Sequence, residues 1–277
     1  MRMHLSLVRA LSIGSFLGIA VALLWMRVEA STSSVPSPES DVVVAPEPLA
    51  LSGLGGGDDE LLVEPVPLPA ARPVVITNTP PAPPDARVVR LRVPFVSQAP
   101  FRIWNLPYKE FCEEASLLTL HLWKQGKPTP PADALDRALK ELQAWETEQL
   151  GTWEDTTAVQ GVRLLREYFG YADARVVESV SIDRIKRELD AGRPVVVPAA
   201  GRALPNPYFQ RPGPLYHMLV IIGYDDRAGE FITNDVGTNT KGAGLRYRYD
   251  DLYRAMGDWS EDRHAPDTTR KVMIVLS

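Results

Sequence analysis

The chain has one cysteine, Cys112, and it stands in "FCEEASLLTLHLW", where a loop gives way to a helical pattern. A cysteine at a helix start has its thiolate favoured by free N–H groups and by the positive end of the dipole. A thiolate so placed is a nucleophile for carbonyl carbon, provided that a base takes the thiol proton. Glu113 and Glu114 follow in the first turn. They suit the dipole, but their charges oppose a thiolate, so the sulfur needs that base beside it.

Four histidines are available. His4 lies in the apolar N-terminus. His121 is on the same helix as the cysteine, roughly 13 Å up its axis at 1.5 Å per residue, which is too far for proton transfer. His264 lies in the polar loop "SEDRHAPD". His217 opens "HMLVIIGYD", after which "DDRAG" turns the chain into "EFITND". The pattern is that of a β-hairpin. A turn centred near Arg227 makes His217 face Gly237 and Asp235 face Leu219. His217 and Asp235 then project from one face as diagonal neighbours, about 7 Å apart at Cβ, within reach of an imidazole and a carboxylate. A register shift of one residue would substitute Asn234 as the partner. The order is a nucleophile on a helix, a base on a strand and an orienting group on the next strand, the logic of a Cys-His-Asp triad. The free amide N–H of Cys112 is a donor for an oxyanion, and Gln98, the glutamine in the stretch leading up to the cysteine, is a candidate second donor.

These residues need a scaffold. Composition is ordinary for a globular protein, with 45% hydrophobic and 23% charged residues. A net charge of −5 without a Lys/Arg run argues against nucleic acid as a partner. One cysteine excludes an internal disulfide, and no metal-ligand spacing is present, so no metal or cofactor is expected. Residues 1–30 carry Arg2 and Arg9, an apolar stretch from Ala10 to Met26, then Arg27 and the small-residue site Val28-Glu29-Ala30. They read as a signal peptide or a membrane anchor, which places the remainder on the extracytoplasmic side. Residues 31–87, rich in Pro, Ala, Ser and Gly, read as a disordered spacer. A Gly run within it, "SGLGGGDD", needs no further role.

The folded domain is expected over residues 88–277. It opens on a strand-like run with Val88, Leu91, Val93, Phe95 and Val96. Helices follow at Cys112, over "PPADALDRALKELQAWE", after a cap at Asp155 or Thr156, and from the cap Ser181 to Gly192. Beyond it the runs are β-type: "RPVVVPA", "HMLVIIGYD", "EFITND", "LRYRYDDL" and "RKVMIVLS". Helices first and strands after predict an α+β fold, with N-terminal helices packed on an antiparallel sheet. Trp104 and Tyr108, on the loop before the cysteine, are placed either to wall the cleft or to pack there. The Pro- and aromatic-rich segment "GRALPNPYFQRPGPLY" leads straight into His217, and its Tyr208 and Phe209 are the expected substrate contacts.

"VPFVSQAP", "FCEEASLLTLHLW", "GPLYHMLVIIGYD" and "FITNDVGT" together resemble the peptidase C39-like family, papain-fold cysteine peptidases. The resemblance covers about residues 88 to 277. It implies Cys112 as nucleophile, His217 as base, Asp235 as orienting residue, Gln98 as oxyanion donor, and a peptide or protein as substrate. Two departures stand out: Glu113-Glu114 where the family often has Gly-Pro, and a longer stretch between Gln98 and the cysteine. The reading is therefore an exported or membrane-tethered cysteine peptidase. Its alternatives are a cell-wall peptide amidase or transpeptidase, and a non-catalytic binding module on a papain-like scaffold.

Overall fold

The computed structural model describes residues 86–277. The export segment expected at 1–30, and the spacer up to residue 85, lie outside the described residues. Among the described residues, no helix is long and apolar enough to cross a membrane. Arg87, read as the last spacer residue, already belongs to the fold. Its carbonyl accepts from the Asp226 N–H at 2.9 Å, and its guanidinium pairs with Asp190 at 2.8 Å.

The central layer is an antiparallel sheet in the order β2 (Arg175–Glu178), β9 (Val272–Val275), β3 (Val195–Ala200), β4 (Tyr216–Asp225), β5 (Glu230–Asn234) and β6 (Ala243–Arg248). A short strand, β1 (Val88–Arg90), pairs with the outer half of β4. The strand-like run expected at its start is cut to three residues. Pro94 has no N–H to give a ladder, and the Val93 and Pro94 carbonyls accept from the Asn234 side-chain amide instead of from a strand backbone.

β3 and β4 read as near-continuous apolar runs because both faces are covered. On one face Tyr216, Met218, Val220 and Ile222 of β4 meet three helices: α1 (Cys112–Lys124), α2 (Ala132–Leu150) and α3 (Ala158–Glu167). On the other, Leu219 and Ile221 meet α4 (Ile182–Asp190), through Ile185 and Leu189, and α5 (Tyr249–Ala255), through Leu252 and Ala255. A small hairpin, β7 (Asp258–Ser260) with β8 (Ala265–Asp267), lies outside the main sheet. Mixed helices on an antiparallel sheet are as expected, but the segregation is incomplete. β2 precedes α4, and the second half of "LRYRYDDL" is the start of α5, its first turn carrying Asp250 and Asp251. A two-faced sheet needs cover on both sides, which N-terminal helices alone would not give.

α1 is the central helix. Residues Cys112 to Leu120 are all buried, as a helix packed on every side requires. α2 presents Leu135, Leu139 and Leu142 at helical spacing, and the next residue of that stripe is Glu146. The cap of α3 is Thr157, one residue past the expected Thr156 and two past the alternative Asp155. Thr157 and Gln160 form a reciprocal capping box, while the Thr156 N–H is taken by Glu113 at 3.2 Å. Ser181 caps α4 as expected.

The hairpin β4–β5 decides which residue meets His217. At its turn Asp225 pairs with Glu230 and Gly223 with Ile232. Carried straight down the ladder, that register would bring Asn234 to the His217 face. A β-bulge at Ile222 shifts it by one, so that Ile221 pairs with Thr233 and Val220 with Asn234. In the shifted frame Asp235 shares the face of His217. Asn234 points the other way, bound to the Val93 and Pro94 carbonyls and to the Gly244 N–H.

Candidate active site

α1 begins at Cys112, as its sequence predicts, without a side-chain cap. Its start is fixed by packing instead. Phe111 is fully buried between Tyr108 and Trp153, edge-on to each with centroids 5.8 Å apart. The first intrahelical bond runs from the Ala115 N–H to the Phe111 carbonyl, which leaves the Cys112 N–H ahead of the ladder.

The sulfur is buried and lies 2.8 Å from Glu113 Oε2. The other Glu113 oxygen accepts the Thr156 N–H. Burial pushes the thiol well up from its usual range, and a charged Glu113 beside it adds to the rise. The backbone of Met218, next to His217, acts in the opposite sense. The first-turn glutamates are thus not the solvated pair that their sequence position suggests. Both are buried, and burial first, then neighbouring carboxylates, raises each well above the ordinary range.

His217, also buried, is the second residue of β4. Its Nε2 bonds Asp235 Oδ1 at 2.9 Å, which leaves Nδ1 as the free ring nitrogen. Phe209 meets the ring edge-on at 5.2 Å. Gly237 borders it so closely that a Cβ there would come within 2.9 Å of His217 Cε1. The imidazole is thereby clamped.

Asp235 is fully buried and takes four donors: His217 Nε2 and the Gly237 N–H on Oδ1, and Asn206 Nδ2 at 2.9 Å and the Tyr247 hydroxyl at 2.6 Å on Oδ2. Burial alone would raise its pKa. The His217 ring, its hydrogen bond, Tyr247 and Gly237 outweigh that and hold the carboxyl below the usual range. A depressed carboxylate stabilises the fold above its unfolded pKa, and that stability is lost as pH falls through the folded value.

Cys112, His217, Gln98, Trp104, Tyr208 and Phe209 line one cleft of about 630 Å³, with Asp235 behind His217. Gln98 reaches it because its N–H bonds the Val236 carbonyl beside Asp235 and its Nε2 bonds the Tyr108 carbonyl at 2.9 Å, closing the intervening loop on itself. Tyr108 itself packs, with its hydroxyl on Asp136. Charged side chains line the cleft: Lys109 paired with Glu110 at 3.2 Å, Glu154 and Asp155 from the loop between α2 and α3, and Arg202 and Lys241. Burial and the carboxylates of Glu110, Glu154 and Glu261 push Asp155 up to about 6. His121 is remote from this cleft, stacked on Phe169 at 4.2 Å and bonded to the Tyr171 hydroxyl. His264 does not line it either. The hydrogen-bond partner of the sulfur is Glu113, not His217.

Sequence reasoning missed Asn206 and Tyr247. Asn206 had a signal, since it lies in the loop picked for substrate contact, where its Oδ1 also accepts the Tyr208 N–H at 2.8 Å. Among the described residues no group of three His, Cys, Asp or Glu side chains is placed to hold a metal ion.

A family model describing the Peptidase_C39 like family matches residues 90–263, which contain every residue of this cleft. The chain belongs to that family. Family membership supports a peptidase, of the cysteine class. A solved chain from Bacillus anthracis, described as a candidate C39-like peptidase, aligns at 17% identity with a TM-score of 0.45. The alignment covers 69% of this chain and 98% of that one. No curated protein matches this family member.

Proposed function

We propose that this domain is a cysteine peptidase that hydrolyses peptide bonds with Cys112, His217 and Asp235, in a papain-like arrangement. The observation that carries the reading is the buried His217–Asp235 hydrogen bond, which leaves Nδ1 free on a residue that lines one cleft with Cys112. In the reaction His217 Nδ1 takes the thiol proton as the sulfur attacks the scissile carbonyl carbon. The oxyanion is met by the Cys112 N–H and by the second Nε2 proton of Gln98, whose amide plane Tyr108 fixes. Collapse expels the amine, which receives the proton from His217, and leaves a thioester on Cys112. Water, deprotonated by the same imidazole, then releases the acid and restores the thiol. Trp104, Tyr208 and Phe209 are the proposed contacts for the peptide. The apolar N-terminus and the Pro-rich spacer complete the proposal: a domain held outside the cytoplasmic membrane, or secreted beyond it.

A mixture of peptides of random sequence, incubated with the protein and sequenced by mass spectrometry, tests this. New termini should appear with wild type, and Asp235→Asn should slow their appearance by roughly 10²- to 10⁴-fold, because the imidazole loses the carboxylate that fixes its tautomer. The thiol's bond to Glu113 favours a second reading, a non-catalytic binding module. Peptides bound but left uncut by wild type would support that reading. Cleavage confined to cell-wall peptides would support an amidase.

A further inference from the structure

Glu113 is the side chain that touches the sulfur, and the mechanism above gives it no task. We propose that Glu113 acts as a neutral carboxylic acid that donates a hydrogen bond to the Cys112 thiolate, which makes it a further catalytic residue. The assignment rests on Cys112 being the nucleophile.

The two carboxyl oxygens are not equivalent. Oε1 accepts the Thr156 N–H at 3.2 Å, so it takes the carbonyl role. The proton of the acid then belongs on Oε2, and Oε2 faces the sulfur at 2.8 Å. The groups facing this carboxyl come from each element packed around it: Cys112 and Glu114 on α1, Glu146 on α2, Asp155 on the loop between α2 and α3, and Tyr216 on β4. None is a cation. A carboxylate there would be buried among other carboxyls with no counter-charge, so the neutral acid is the form that the site accommodates. Burial holds Glu113 well above its ordinary range; the thiol's hydrogen bond to it acts in the opposite sense, and Glu146 and Asp155 add to the rise.

Protonation reverses the sign of the contact. A carboxylate beside the sulfur opposes its ionisation, whereas an acid favours it. When the thiol proton passes to His217, the Glu113 O–H is left pointing at a negative sulfur and forms a charge-assisted hydrogen bond. No further proton is gained or lost. The buried acid thereby offsets part of the burial penalty on the thiolate, at the position where the family often has Gly-Pro.

The test is the rate of Cys112 alkylation by iodoacetamide between pH 5 and pH 10 in wild type, Glu113→Gln and Glu113→Ala. Alkylation reports the thiolate whether or not any peptide is cut, so its outcome is separate from that of the peptidase assay. A glutamine reproduces the neutral acid, with Oε1 on the Thr156 N–H and an N–H on the sulfur. Glu113→Gln should therefore keep the wild-type profile within about half a pH unit. Glu113→Ala should move it up by about one to two pH units, the loss of one hydrogen bond to a charged group, and slow alkylation at neutral pH about tenfold or more. Alkylation of Glu113→Gln slowed as much as that of Glu113→Ala would overturn the proposal, because the sulfur would then need an acceptor. Faster alkylation in either variant would overturn it too, because Glu113 would then be a restraint. Circular dichroism verifies that each variant is folded. If the alanine protein is not, the isosteric glutamine variant decides alone, a wild-type profile supporting the proposal and a slower or faster one overturning it.

Discussion

Replacing Cys112 by alanine is expected to bring peptide hydrolysis down to the uncatalysed background, a loss on the order of 10⁴-fold or more. The size follows from the absence of a substitute. The chain has no second thiol, and the nucleophile is the one group whose removal ends the thioester route altogether. Serine should restore little. Its hydroxyl has a shorter bond to Cβ and is far less acidic, so His217 would have to remove a more tightly held proton across a longer gap. Stability should change much less. Cys112 is one small buried side chain beside Glu113, and its truncation removes a single sulfur from a large core. Initial rates on any cleaved peptide, set beside urea melts, separate the two effects. A Cys112→Ala protein that still turns over would mean that another group carries the reaction.

The second large effect concerns pH and stability. Glu114 of α1 and Glu146 of α2 are both buried, and with both ionised neither carboxyl oxygen has a hydrogen-bond partner. A proton on one makes it the donor to the other. Burial pushes Glu146 up to about 8, and burial together with Glu146 and Glu113 raises Glu114 well above the ordinary range. The unfolded chain releases these protons near the normal carboxyl value, whereas the folded chain keeps them. Between those limits the native state binds more protons, so stability falls as pH rises. Each extra proton contributes a slope of about 1.4 kcal/mol per pH unit. Urea melts at half-unit steps from pH 5 to pH 8 should show a steady decline, and Glu146→Gln should flatten it, matching wild type at pH 5 and exceeding it at pH 8. Equal stability at both ends in wild type would show that these carboxyls ionise freely in the fold.

Much of the site was legible because local rules act on short segments. A lone cysteine before a run of strong helix formers marked the start of α1, and Ser181 and Gly192 bracketed α4 by their capping chemistry alone. The pairing of His217 with Asp235 was legible for a subtler reason. Index counting from a turn centred near Arg227 gave the frame that holds beside the site, although the turn itself is set one residue off and the bulge at Ile222 restores it. No feature of "HMLVIIGYD" announces which isoleucine is the extra one. The buried glutamates were illegible for a similar reason. Glu113 and Glu114 look like ordinary first-turn acids, and only the packing of α2 and β4 around α1 shows that water is excluded from them. Tyr247 and Asn206 reach Asp235 from β6 and from the loop before His217; that loop was marked, but the convergence of the two on one carboxylate depends on tertiary packing. The cover that α4 and α5 give the second face follows from β3 and β4 being apolar at successive positions, a pattern compatible with several helix orders.

The central claim is that the sulfur of Cys112 and the imidazole of His217 act on one carbonyl group. A crystal structure with a peptide aldehyde in the cleft tests it most directly. The expected result is a covalent bond from Cys112 Sγ to the aldehyde carbon, with His217 Nδ1 turned to that centre and the new oxygen near the Cys112 N–H and Gln98 Nε2. An aldehyde that binds without bonding to the sulfur, or one bonded there with the His217 ring beyond hydrogen-bonding reach of the adduct, would contradict it.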